Sequence, residues 1–310
     1  MILIALILAG CSPLSDVSKE KGLKVSFAKE LQLSNLIHHL KVLSADNMAG
    51  RRFSSPESNI AQTYIVSELV SSGVHPFQGK YRHSFTHKTY PKPLKGSNIV
   101  GFVKGSKFPE QYIVLSAHYD HLGTKGSKIY NGADDNASGT ATVLAFANAI
   151  AMKPLQHSII FLFSDGEEVN LLGTKAFVKQ QAELLPQIKL NINLDMIAGS
   201  VSTRKLHYIE GRLHTILPNA REHMSALSNK APMNIKRGFK EDNFIGSRNY
   251  KNASDHGVFN RLKIPFIYFG VGEHKNYHTT HDDFEHVNKP FFVKASQSIF
   301  SYLVSFDMSI

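Results

Sequence analysis

Tyr112-Ile-Val-Leu-Ser-Ala-His118-Tyr119-Asp120 is a short apolar run that ends abruptly in a histidine and an aspartate. Other runs behave alike. Residues 158–163 lead into Asp165-Gly166-Glu167-Glu168, residues 188–194 stop at Asp195, and residues 265–269 feed a loop reaching Tyr277-His278. With residues 98–103 they form a set of short strands, several of them apolar on both faces. Such runs suit central strands covered on both sides. Helical patterns over residues 137–152, 171–181, 217–228 and 290–306 separate or follow them. The alternation predicts an α/β fold with a mixed, largely parallel central sheet sandwiched by helices. In such sheets, functional residues gather at the carboxyl ends of the strands.

Upstream, Leu33, Leu36, Ile37, Leu40 and Leu43 recur at helical spacing, and a turn follows over residues 47–52. Ser55-Pro56-Glu57 has the order expected at a helix start, and Gly73 suits its stop. Residues 229–253 are polar, basic and poorly periodic, which predicts a long loop bordering the mouth of a site.

The chain has 310 residues, enough for one large α/β domain. Its 42% hydrophobic and 19% charged residues fit a globular protein rather than a disordered one. The net charge of +10 comes without a zinc finger, an aromatic-studded basic strand or a long Lys/Arg run. The charge therefore reads as general solubility with some attraction to anionic surfaces, not as nucleic-acid binding.

The single cysteine, Cys11, excludes an internal disulfide. Residues 1–10 form a short apolar run ending in small residues, as in a signal peptide. Leu8-Ala9-Gly10-Cys11 resembles the lipobox of bacterial lipoproteins. The expectation is cleavage before Cys11, lipidation there, and a polar tether over residues 11–30. A domain over residues 31–310 would then be held at the bacterial cell envelope. The run is well short of the ~20 residues that span a bilayer.

Zn²⁺ takes imidazole and carboxylate ligands, and two close ions need a bridging carboxylate. Two histidines and three carboxylates at strand and helix ends meet that need. Gly132-Ala133-Asp134-Asp135-Asn136-Ala137-Ser138-Gly139 offers two candidate bridges, and His274, His278, His281 and His286 crowd the last loop.

His118-Tyr-Asp120, Gly132–Gly139, Gly166-Glu-Glu168, Asn193-Leu-Asp195-Met and Tyr277-His278-Thr-Thr together resemble the di-zinc aminopeptidase family. That family is related to the peptidase-like domains of glutamate carboxypeptidases and transferrin receptors. The likeness spans roughly residues 35–305 and includes Ser254-Asp255-His256. It implies Zn²⁺, two per chain: Asp135 bridging, His118 and Asp195 completing one site, Glu168 and His278 the other. It implies Glu167 as general base, Asp120 holding His118 in the correct tautomer, and Tyr277 as donor to the tetrahedral oxyanion.

His281, Asp282 and Asp283 are then expected beneath the site or capping a turn, and His121 at the solvent or the cleft rim. Asp255 and His256 would brace the pocket or cap a helix. Asn170 and Thr174 depart from the Gly and Ser usual in the family's Glu-Glu-X-Gly-Leu-X-Gly-Ser.

The implied activity is removal of amino-terminal residues from peptides. The same core serves carboxypeptidases and dipeptidases. Cations such as Arg204, Arg212, Lys236, Arg237 or Arg248 in the pocket wall would favour a substrate carboxylate. A glutaminyl cyclase-like enzyme or a metal-free binding module are the other readings.

Overall fold

The computed structural model describes residues 33–239 and 249–310. The signal-peptide reading, Cys11 and the tether lie outside the described residues, as does Arg248. The chain begins with helix α1 (Leu33–Leu43), a turn of 3-10 helix (Asp46–Arg51) and helix α2 (Ser58–Ser71). Strands β1 (His75–Pro76), β2 (Arg82–His87), β3 (Leu94–Val103), β4 (Phe108–His118), β5 (Gly123–Lys125) and β6 (Lys128–Tyr130) follow. Next come α3 (Gly139–Met152), β7 (His157–Ser164), α4 (Leu172–Gln180), β8 (Ile188–Leu194) and β9 (Leu206–Gly211). The chain closes with α5 (Ala220–Ser228), β10 (Ile235–Arg237), α6 (His256–Arg261), β11 (Phe266–Gly270) and α7 (Lys289–Ser309).

One nine-stranded sheet has the order β1-β3-β7-β4-β8-β11-β9-β10, with β2 also paired to β3. Its centre, β7-β4-β8-β11, is parallel throughout, and β3 and β9 flank it antiparallel. The sheet is mixed and largely parallel, as the alternation predicted.

Alternation along the strands builds two cores. Ile113, Leu115 and Ala117 of β4 and Ile159, Phe161 and Phe163 of β7 face the larger core, shared with α1, α2, α3 and α7. Val114, Ile160 and Leu162 face the smaller core, with Phe177 of α4 and Phe259 of α6. The sheet is therefore buried on both sides, which is why its strands read as continuous apolar runs.

Several elements differ from the sequence reading. Helix α2 starts at Ser58, because Pro56 and Glu57 form a preceding turn; the Ser58 amide donates to Ser55 Oγ at 3.2 Å. Strand β2 is polar, and β10 sits inside the stretch expected to be loop. Both lie toward the sheet margins, where one face needs no apolar residues.

Because the central strands are parallel, their carboxyl ends share one edge. Ser116 pairs with Asn193 across β4 and β8, and His118 pairs with Ser164 across β4 and β7. Two residues on from the first pair, His118 and Asp195 are level and on the same face.

Arg51 holds the turns at this edge. Its side chain is fully buried. Its guanidinium donates to the carbonyls of Leu43, Tyr119, Asn131 and Gly132 at 2.5 to 3.0 Å. Tyr119 follows His118, and Gly132 opens the loop that carries Asp135. Gly50 makes the approach feasible, with φ +65° and only 2.2 Å between an added Cβ and the Tyr130 carbonyl. Burial pulls the guanidinium down to about 10, opposed by Asp282, Asp120, Asp135 and Glu168, so it stays charged at neutral pH.

Arg51→Met leaves several buried carbonyls without this donor and is expected to lose at least about 3 kcal/mol of stability. Arg51→Lys should recover only part, since an ammonium lacks the planar fork. Urea unfolding measures both, and a Met variant within about 0.5 kcal/mol of the native protein, the size of an ordinary surface substitution, would contradict the clamp.

Candidate metal centre

His118 ends β4 with its Nε2 3.4 Å from Asp135 Oδ1 and 3.4 Å from Asp195 Oδ1. On the other side of Asp135, Oδ2 lies 3.1 Å from His278 Nε2, which is also 3.3 Å from Glu168 Oε2. The two oxygens of Asp135 thus face two different histidines. Donor atoms converge within 4.8 Å in two groups that share Asp135: His118 with Asp195, and His121 with Glu168 and His278.

These groups fit divalent metal ions. Ligands ~2.0–2.1 Å from a tetrahedral ion stand roughly 3.3 Å apart, close to the spacings seen here. Asp195 Oδ1 and His278 Nε2 are buried yet have no hydrogen-bond partner among the described residues. A buried polar atom without a partner is costly unless something else satisfies it.

The near neighbours of these residues are used elsewhere. Asp134 Oδ1 accepts the amides of Ala198 and Gly199 at 2.7 Å each, and Oδ2 accepts His274 Nε2 at 2.8 Å. Asp134 and His274 therefore brace the loops. Asp282 accepts the amides of Asp134 and Asp135 at 2.8 and 3.0 Å. Asp283 accepts the amides of Glu285 and His286 and the His286 ring, which is a turn cap. His281 is exposed.

Glu167 and Glu168 leave β7 through a left-handed Gly166, and both are half-buried. Asp120 steers this turn: its carboxylate accepts the Glu167 and Glu168 amides at 3.0 and 3.4 Å. Asp120 is also the residue that faces His118 Nδ1. The closer partner of His118 Nδ1 is the Asp120 main-chain carbonyl, at 3.1 Å, with the carboxylate at 3.7 Å. A proton on Nδ1 leaves the Nε2 lone pair facing Asp135 and Asp195.

The expectation for His121 needs correction. It is 1% exposed, not at the rim, and its Nδ1 lies 2.9 Å from Glu168 Oε1. The missed signal is local: His121 directly follows the strand-end turn that positions His118 and Asp120. Asp255 stands at the start of α6, but its side chain makes no capping hydrogen bond there. It is fully buried and accepts from Ser164 Oγ and from Thr174 Oγ1, tying the end of β7 to α4. His256 Nε2 lies 2.7 Å from the Tyr250 carbonyl, and burial pulls its pKa down to about 4.

The two sequence departures are explained by backbone and hydroxyl chemistry. Asn170 has φ +70°, a left-handed conformation that asparagine tolerates better than most residues. Thr174 keeps the hydroxyl that bonds Asp255, at 2.6 Å.

The electrostatics reflect crowded carboxylates. Burial drives the Glu167 carboxyl well up; His118 opposes this, and Asp195, Glu168 and Asp255 add to it. Burial disfavours charge on His278, yet the neighbouring Asp135 and Glu168 carboxylates raise it to about 10. For Asp135, the pull of His121, His118 and His278 outweighs burial and holds it well below the carboxylate range.

A small cleft of about 40 Å³ opens over these groups. Met196, Tyr250, Ala253, Tyr268 and Tyr277 line it. Tyr250 and Ala253 belong to the stretch expected to border the mouth. The Tyr277 ring stacks on His278, with centroids 3.8 Å apart. Among the described residues the lining includes carboxylates but no Lys or Arg. Arg237 instead pairs with Glu210 at 2.7 Å, and Arg204 bonds the carbonyls of Val201 and Thr203.

Known proteins resemble this chain in sequence and in fold. Aminopeptidase YwaD of Bacillus subtilis is 26% identical over 217 residues, covering 66% of this chain and 42% of that protein. The chain spans less than half the length of the leading curated relatives it matches. The aminopeptidase from Aneurinibacillus sp. strain AM-1 superposes with a TM-score of 0.70 at 16% identity, over 90% of this chain and 95% of that one. A glutaminyl cyclase of Bacteroides thetaiotaomicron, bound to N-acetylhistamine, gives 0.69 at 19% identity, over 88% and 98%. At these identities the structural likeness shows the fold alone. The sequence profile described as Peptidase family M28 matches residues 98–303, well over half of the chain. The chain belongs to Peptidase family M28.

Proposed function

We propose that this protein is a zinc-dependent exopeptidase that removes amino-terminal residues from peptides at a two-ion centre. The observation that carries the reading is Asp135, whose two oxygens face separate histidine–carboxylate groups. His118 and Asp195 would hold one ion, Glu168 and His278 the other, and Asp135 both. When bound, the two ions would supply an acidified water and polarise the scissile carbonyl.

The chain's own groups do the rest. Glu167, at the cleft beside both groups, takes the proton from the attacking water and returns it to the leaving amine. Asp120, through the Glu167 and Glu168 amides, keeps one carboxylate for the proton and the other for an ion. Tyr277 donates to the oxyanion that forms at the carbonyl. Glu273, a lining carboxylate with no part in the ion groups or in proton transfer, offers negative charge for a substrate ammonium. Export and lipidation at Cys11 would place the activity on peptides outside the cytoplasm.

A glutaminyl cyclase-like enzyme is the second reading, favoured by the cyclase among the structural neighbours. The shared Asp135 favours the hydrolase. Aminoacyl 4-nitroanilides and peptides with amino-terminal Gln, each assayed with and without chelator, separate the two. The expected result is chelator-sensitive, zinc-restored release of nitroaniline. Cyclisation of Gln peptides without nitroanilide hydrolysis would overturn the proposal. Glu167→Gln should keep its metal content and lose roughly 10²–10⁴ in kcat. Native turnover by that variant would remove Glu167 as the base.

A further inference from the structure

His121 follows Asp120 in the turn after β4, and only 1% of it is exposed. Its Nδ1 lies 2.9 Å from Glu168 Oε1 and 3.7 Å from Asp135 Oδ2. The other oxygen of the same carboxylate, Glu168 Oε2, lies 3.3 Å from His278 Nε2. One carboxylate therefore faces a different imidazole with each oxygen. An ionised carboxylate can only accept, so His121 Nδ1 carries the proton in this contact. His121 Nε2 is buried without a hydrogen-bond partner among the described residues.

The surroundings hold the ring in place. His121 stands edge-on to His278, with centroids 5.7 Å apart and planes at 65°. Gly132 lies against it at φ +57°, and a Cβ there would come within 2.5 Å of His121 Cγ and Cδ2. The absent side chain at Gly132 thus makes room for the ring. Arg51 holds the Gly132 carbonyl at 3.0 Å from behind.

We infer that His121 is a positioning residue that pins Glu168 Oε1, so that Oε2 alone is presented to the ion shared with His278 and Asp135. The inference rests on the two-ion reading above. A carboxylate left to rotate can offer either oxygen, or both, and loses that freedom when an ion binds. A donor on one oxygen removes the choice beforehand. The effect is confined to one ion. On the other side, His118 is held by the Asp120 carbonyl, and no atom of Glu168 takes part.

The test uses the full chain, stripped of metal and titrated with Co²⁺ by visible absorption and with Zn²⁺ by calorimetry. Native protein should take up two ions. His121→Leu keeps bulk and removes the donor. It should weaken one ion roughly 10–100-fold, the usual cost of losing a group that orients a ligand, and leave the other nearly unchanged. The Co²⁺ spectrum of the weakened site should shift. His121→Asn places an amide N–H near the position of Nδ1 and should recover most of the loss, whereas His121→Gln should not.

Native-like uptake of both ions by His121→Leu would overturn the inference. Equal losses in the Leu and Asn variants would make His121 a direct ligand instead, which also overturns it. Uptake of a single ion by the native protein would sink the two-ion reading and the brace together. If His121→Leu does not fold, the Asn and Gln variants decide alone, and equal affinities in those two overturn the brace.

Discussion

Negative charge packed at one edge of a sheet is the constraint on which this structure turns. Asp120, Asp134, Asp135, Glu167, Glu168, Asp195 and Asp282 meet where the parallel strands end, and most are buried. Isolated carboxylates in such a place would be prohibitively costly. Those at the periphery are stabilised by main-chain amides: Asp134 by Ala198 and Gly199, Asp282 by Asp134 and Asp135, Asp120 by Glu167 and Glu168. Even so, burial followed by the charge of Asp134 pushes Asp282 up to about 6. Burial followed by Asp120 pushes Asp165 up to about 8.

What the amides leave is the group around the cleft: Asp135, Glu168 and Asp195, facing His118 and His278. Without ions, protons on these histidines supply the compensating charge. That is the sense of the upward displacement of His118, where burial is outweighed by Glu167, Asp120, Asp135 and Asp195. Ligation by neutral imidazole must displace those protons, so ion binding should strengthen as pH rises. The buried Arg51 acts on the same edge by another route. Its guanidinium binds carbonyls rather than carboxylates, and so fixes the turns that carry His118 and Asp135 while leaving their acids for the centre.

Much of this was legible in the sequence, because topology and chemistry coincide there. Apolar runs ending in His118, in Glu167-Glu168 and at Asp195 mark both the central strands and the residues those strands deliver to one edge. Asp134 and Asp135 are not separable by spacing, since either could face inward. Only the amides of Ala198 and Gly199 show which one braces the loop. The burial of His121 is illegible in the sequence for a similar reason. A histidine after a strand-end turn has no periodicity to report its burial, and its room is made by Gly132, eleven positions along the chain. Strands β2 and β10 escaped because polar marginal strands lack the apolar pattern of the centre. The fold itself carries both aminopeptidases and glutaminyl cyclases, so architecture alone does not choose a reaction. The choice rests on the donor set.

The central claim is that one carboxylate serves two ions. Metal content of the native protein and of Asp135→Ala, measured by elemental analysis after dialysis against a fixed free zinc concentration, tests it most directly. The account predicts two ions in the native chain and weakened binding at both positions in the variant, with the fold preserved by circular dichroism. A variant that loses one ion and keeps the other at native affinity would contradict the shared role of Asp135.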